Sequence, residues 1–337
     1  MIPRPGVPVH TGRRGHGART YTPPMDERDA VSGAGPPGDD PEGGGGAPGA
    51  ADAARGLFVL GAPRSGTTLV GNYLASDPSV LNLGEYGGFH LANSIAPSAL
   101  GAMPGSYRDQ YLRDLVVHAQ WFAEGLAASV QREWYCDTTP WNLLSAERIA
   151  AELPDALFIL MLRHYSGTIQ SLRRSYDSGF AWAGATWADS AAVWAASYRC
   201  AGQLPAHQTL AVSYEALTAD PATTLELVGE WLEEQGYPAT DLDLGQLAVS
   251  HAPPATGPRP TIGVRVDGDV QLQAISSFEP EHWSGDIHRM VWPVVEDVHR
   301  DLAARFPRAY LSPAPPPRVW VHHDIQGLIP AELGENW

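Results

Sequence analysis

The stretch GLFVLGAPRSGTTLVGNYLASDP, Gly56 to Pro78, sets the fold, because it reads as strand, loop and helix in that order. An apolar run, Leu57-Phe58-Val59-Leu60, comes first. A turn rich in Gly and Pro follows, and then Leu69, Val70, Tyr73 and Leu74 recur at helical spacing. Gly61 and Gly66 let the backbone approach a ligand closely, and the amides at the helix start point toward whatever anion lies there. A nucleoside-triphosphate loop of this kind reads GxxxxGK[ST], but Gly66 is followed by Thr67 and Thr68. Thr67 stands where the lysine would be. Without that ammonium, hydrolysis of a β/γ-phosphate loses a main charge stabiliser, so an ATPase or kinase is disfavoured. Arg64 is the one cation in the loop.

Composition narrows the possibilities. The 337 residues are 44% hydrophobic with 11 Trp, enough for a large core. Asp and Glu outnumber Arg 38 to 22, and the formal charge is −16. No basic cluster occurs, so nucleic acid is not expected as a partner. The 22 basic residues are all Arg, so any cationic role falls to Arg or His. Two cysteines, Cys136 and Cys200, are too few for a disulfide framework or a thiolate metal site; a reducing, cytoplasmic setting is expected. GRRGH at 12–16 hints at a twin-arginine signal, but no apolar stretch follows it. No run of about 18 apolar residues occurs, so no membrane span is expected.

Residues 1–55 are rich in Gly, Pro, Ala and Asp and read as a disordered tail. SPAPPPR at 312–318 breaks the last helical pattern, which leaves 313–337 as a docked appendage or a loose tail and 56–312 as the globular unit. Within that unit, Val80-Leu81-Asn82-Leu83 reads as a strand ending at Gly84-Glu85, and 107–130 as an amphipathic helix. Thr139-Pro140 marks a helix start. ALFILML at 156–162 is a strand buried on both faces, followed by a helix over 166–177. TLAVSY at 209–214 is a further strand, and Asp220-Pro221 opens a helix. Strands alternating with helices predict an α/β fold, a parallel sheet flanked by helices. Ligands of such sheets bind at the carboxyl ends of the strands, where Arg64, Glu85, Arg163 and Tyr214 all fall.

Arg163 ends the strand 156–162, where a nucleotide hydrolase commonly places a Mg²⁺-binding Asp. Ser171 lies eight residues on, about two helical turns, and could share an anion with Arg163 if the helix returns toward the strand end. Here the chain resembles the PAPS-dependent sulfotransferases. FVLGAPRSGTTL is similar to that family's 5′-phosphosulfate loop, FILMLRHYSGTIQSLRRSY to its 3′-phosphate segment, and LAVSYEALTADPATTLELVGEWL to its later strand, Tyr-Glu pair and helix. The form with Arg in the loop is most like the tyrosylprotein sulfotransferases and related bacterial enzymes. The resemblance implies a P-loop-type sulfotransferase fold and 3′-phosphoadenosine-5′-phosphosulfate (PAPS) as co-substrate, with no metal. Arg64, Ser65, Gly66, Thr67 and Thr68 would hold its phosphosulfate, Arg163 and Ser171 its 3′-phosphate, and Tyr214 would lie by the nucleotide.

Sulfuryl transfer needs cations and amides for the leaving phosphate and a base for the acceptor hydroxyl. Arg64 suits the first task. Glu85, after SVLNL in the turn LGEYGG, is the candidate base, with His90 and His118 as alternatives. Relatives often carry Lys before the Thr-Pro or Asp-Pro pair, where this chain has Thr138 in CDTTPWNLL. Arg259 and Arg265 are further candidate phosphate contacts. The acceptor is expected to be a small-molecule or peptide hydroxyl, and Phe89, Trp141, Trp182, Trp187 and Trp194 are candidate lining residues or core. Two other readings stay open: a P-loop nucleotide kinase-like enzyme, and a non-catalytic nucleotide-binding module of the same fold.

Overall fold

The computed structural model describes residues 53–91, 100, 101, 103–237, 242, 247–250, 261–266, 269–274 and 278–310. The expected N-terminal tail apart from 53–55, the C-terminal appendage and Arg259 lie outside them. Five strands form one parallel sheet: β1 (Arg55–Gly61), β2 (Val80–Gly84), β3 (Trp134–Asp137), β4 (Leu157–Leu162) and β5 (Thr209–Ser213), in the order β2-β3-β1-β4-β5. The connecting helices are α1 (Thr67–Leu74), α2 (Gly105–Ser129), α3 (Ala146–Glu152), α4 (Tyr165–Asp177), α5 (Trp187–Tyr198), α6 (Tyr214–Ala219) and α7 (Pro221–Glu234). After them come three antiparallel strands, β6 (Leu247–Ser250), β7 (Thr261–Val266) and β8 (Asp269–Ala274), and the long helix α8 (Gly285–Arg305).

Alternation along the central strands explains the layers. Successive side chains of a strand point to opposite faces. Phe58, Leu60, Phe158 and Leu160 join one apolar cluster with Val116 of α2, Trp194 of α5 and Val295 of α8. Leu57, Val59, Leu157 and Ile159 join another, with Val70 of α1 and Leu225 and Trp231 of α7. Both faces are therefore covered by helices. In register, Phe58 pairs with Phe158 and Leu60 with Leu160, and the two Phe rings stack with centroids 5.6 Å apart. Side chains so enclosed contribute about 1.5–3 kcal/mol each.

Several elements differ from the sequence expectations, and Tyr214, read as the end of a strand, instead opens α6. β3 was not anticipated, because Trp134-Tyr135-Cys136-Asp137 offers three apolar residues and no alternation. Yet it pairs with both β1 and β2 and is buried throughout. Pro140 opens a 3-10 turn, Pro140–Ser145, before α3 begins at Ala146; the extended Thr139 provides no side-chain cap. The antiparallel strands β6–β8 were also unanticipated, and Arg265 lies on β7, where its backbone alone is described.

Candidate active site

The sheet order places the switch point between β1 and β4, since the helix after β1 packs on one face of the sheet and the helix after β4 on the other. The β1–α1 loop is built on two left-handed residues, Arg64 (φ 72°) and Gly66 (φ 100°). Arg64 pays a steric penalty there that glycine does not. At Gly66 any Cβ would also meet the Tyr214 ring at 2.7 Å, so both conformation and space exclude a side chain. No side chain caps the start of α1, and Leu69 and Val70 both donate to the Gly66 carbonyl. That leaves the Thr67 and Thr68 amides, which have no acceptor within the helix, for an anion at its start. The Ser65 amide is an exception to the sequence expectation: it closes the loop on the Ala62 carbonyl at 3.0 Å, and its side chain is fully buried.

Arg163 follows β4 and is 2% exposed. Its guanidinium stacks over the Tyr214 ring at 4.0 Å and donates to the Arg64 carbonyl at 2.6 Å. Its amide donates to the Tyr198 hydroxyl at 3.2 Å, and its carbonyl accepts from Trp194 Nε1 at 3.2 Å. The half-buried Glu215 carboxylate accepts from the His164 amide at 3.0 Å and faces Arg163, whose charge offsets part of the desolvation that raises the Glu215 pKa. His164 caps α4, accepting from Ser166, and burial lowers its pKa to about 3, so it stays neutral. α4 does return toward the strand end, but Ser171 meets the other arginine: its hydroxyl accepts from Arg64 Nε at 3.2 Å. The expected Arg163–Ser171 pair is therefore relayed through Arg64.

These segments border a cleft of about 260 Å³ lined by Arg64, Gly66, Thr67, Thr68, Glu85, Arg163 and Tyr214, with Trp141, Phe180 and Trp182 on its wall. Ser65 and Ser171 are buried behind that lining. Partial burial raises the Glu85 pKa, and the Arg64 charge pulls it back. Burial lowers that of Arg64, and the neighbouring Arg163 lowers it further. Two guanidiniums held this close favour an anion between them. Asp137, at the end of β3, is fully buried; it accepts from the Thr139 amide at 2.8 Å, and burial, with Glu85 nearby, raises its pKa.

Other candidates sort clearly. Thr138 is buried with its methyl against Gly71, so the position of the relatives' Lys is filled by packing. His90 lies beside Trp141, ring centroids 6.2 Å apart, outside the cleft lining, and His118 is on the exposed side of α2. Of the aromatics, Trp141 and Trp182 line the cleft, Phe89 and Trp194 are fully buried, and Trp187 packs against the core. The sequence reading missed Tyr198, Glu215 and Asp137 as site residues. Glu215 had a signal in its pairing with Tyr214; Tyr198 had none beyond helical spacing from Trp194.

The sequence profile described as the sulfotransferase family matches residues 56–238, more than half of the chain, and includes both arginine segments. The chain belongs to that family. No curated protein matches this sulfotransferase in sequence. Among solved structures, it is similar to sulfotransferase STF9 from Mycobacterium avium, with 13% identity over 74% of this chain and 77% of that one and a TM-score of 0.45. The sulfotransferase domain from the curacin biosynthetic pathway is 19% identical over 53% of this chain and 74% of that one, with a TM-score of 0.38. STF1 from Mycobacterium tuberculosis is 18% identical over 56% and 70%, also with a TM-score of 0.38. Among the described residues of this sulfotransferase, no helix is long and apolar enough to cross a membrane.

Proposed function

We propose that the chain moves a sulfuryl group from PAPS to a hydroxyl of a small-molecule or peptide acceptor, with Glu85 as the general base and no metal. The observation that carries this reading is the meeting, in one cleft, of two arginines and a carboxylate from the ends of three strands. When bound, PAPS supplies a sulfuryl group on a phosphate leaving group. The residues fit such a ligand: the uncapped start of α1, Arg64 and the Thr67 and Thr68 hydroxyls suit its 5′ end, Arg163 its 3′-phosphate, and Tyr214 the nucleotide between. The Arg64 form of the loop also supports the likeness to the tyrosylprotein branch.

Arg64 offsets charge on the leaving oxygen, and with Thr138 buried under α1 it has no lysine to help it. Glu85 takes the acceptor proton. Its raised pKa suits that task, since a base nearer the working pH accepts a proton with a better driving force. A kinase-like reading lacks the loop ammonium and meets Arg163 where a metal-binding carboxylate would serve it.

Thermal-shift measurements with 3′-phosphoadenosine-5′-phosphate, ATP, and ATP plus Mg²⁺ test the assignment. Stabilisation by the first, about 2.7 kcal/mol at a hundredfold excess over Kd, is expected. Preference for ATP with Mg²⁺ would favour the kinase reading. Binding without transfer of labelled sulfate to any of a panel of phenols, sugars, alcohols and tyrosine peptides would favour a non-catalytic module.

A further inference from the structure

The two arginine segments are held by each other. Arg163 donates to the carbonyl of Arg64 at 2.6 Å, and Arg64 Nε donates to Ser171 at 3.2 Å. A third link lies beneath both. Tyr198, 1% exposed on α5, donates its hydroxyl proton to the Met161 carbonyl at 2.8 Å and accepts from the Arg163 amide at 3.2 Å. The same phenol oxygen faces the Ala62 backbone and the Ser65 hydroxyl of the β1–α1 loop. One buried hydroxyl thus bonds the end of β4 and lies close to the loop that follows β1. The left-handed backbone of Arg64 makes this significant, because such a conformation is strained and persists where its surroundings over-determine it.

We propose that the two segments act as one cooperative anion site, with Tyr198 as the positioning residue that couples them. The donor's 3′-phosphate and 5′-phosphate groups then bind more tightly together than their separate affinities predict. A phosphate that fixes the Arg163 guanidinium also fixes the Arg64 carbonyl, and so the carbonyl end of the loop. Tyr198 keeps the two backbones in register while this happens. The coupling is reciprocal, since each ligand group favours the arrangement the other needs. Selection of a 3′-phosphorylated donor over adenosine-5′-phosphosulfate is then read at the loop as well as at Arg163. This inference rests on the nucleotide reading proposed above.

Calorimetric titration with adenosine, adenosine 5′-phosphate, adenosine 3′-phosphate and 3′-phosphoadenosine-5′-phosphate forms a closed cycle. The doubly phosphorylated ligand is expected to bind about tenfold more tightly than the single-phosphate increments multiply to. Tyr198→Phe, which keeps the ring, should bring the cycle to within about twofold of additive. Trp194→Phe, which removes the indole bond to the Arg163 carbonyl but keeps an aromatic ring against Tyr198, should retain the coupling. A general loosening of the site would lower all four affinities and leave the cycle unchanged. Hydrogen exchange on the unaltered protein gives a reading that needs no variant: adenosine 3′-phosphate alone should protect the amides of 64–68. An additive cycle in the unaltered protein, no such protection, or full coupling in Tyr198→Phe would each overturn the inference. If none of the four ligands binds, it is the nucleotide reading that falls.

Discussion

The β1–α1 loop and the β4–α4 segment both place an arginine just past a central strand, yet they hold it in opposite ways. Arg64 is left-handed and reaches the surface with its guanidinium partly buried, and its side chain bonds to one serine. Arg163 is enclosed by Tyr214, Tyr198, Trp194 and the charge of Glu215. The difference suits the two tasks proposed for them. A cation that only binds can be fixed in advance, and burial against an aromatic face and a carboxylate does so. A cation that follows charge as it builds on a leaving oxygen must reach the cleft, and Arg64 stays open to it.

The largest effect should come from the third member of the cleft. Glu85→Gln keeps shape and hydrogen bonding but cannot accept a proton, so turnover should fall roughly 10²–10⁴-fold while nucleotide affinity is unchanged. Steady-state kinetics with calorimetry separates the two. Next, Arg163→Ala should lose both affinity and stability. One charge-assisted bond is worth about 1.5–3 kcal/mol, so affinity for 3′-phosphoadenosine-5′-phosphate should drop roughly 10–100-fold, far more than for adenosine-5′-phosphosulfate. Glu215 would lose the charge of Arg163 that it faces, so Tm should fall as well. Arg64→Ala should lower binding and rate with Tm nearly unchanged; an equal Tm loss in both variants would break the comparison.

Gly66→Ala comes third. It forces a Cβ to within 2.7 Å of the Tyr214 ring at a φ of 100°, so a cost of about 1–2 kcal/mol and weaker nucleotide binding should appear together. The smallest effect is a shift in pH dependence. Because partial burial raises the Glu85 pKa, kcat/KM should rise with pH as that carboxylate ionises, along a limb centred above the ordinary glutamate range. Arg64 opposes the shift, so Arg64→Ala should move the limb upward, and Glu85→Gln should abolish it.

Much of this was legible in the sequence, and the reasons are local. Leu57–Leu60 and Leu157–Leu162 announce themselves as buried strands by continuous apolarity. The glycines of the loop mark its turn, and Asp220-Pro221 marks the start of α7. Glu85, Arg64, Arg163 and Tyr214 were placed together because strand ends of a parallel sheet converge on one edge. β3 was not legible: four residues ending in Asp137 carry no period, and their strand character comes from pairing on both sides. Nor was the exchange of partners between Arg64 and Ser171, which depends on the angle at which α4 crosses back over the loop. Tyr198 looks like any core aromatic until its hydroxyl is seen to meet two backbones.

The aromatic wall gives the cleft an optical handle. Trp182 is 44% exposed and stands edge-on to Trp141, with ring centroids 6.1 Å apart, whereas Trp194 is sealed beneath Arg163. Emission from the first pair should be red-shifted and open to acrylamide, and that from Trp194 blue-shifted and shielded. Trp121, 73% exposed, adds to the red component, so in a Trp121→Phe background an acceptor settling on the wall should quench that component, and its arrival could be timed in a stopped-flow instrument with no label on either molecule.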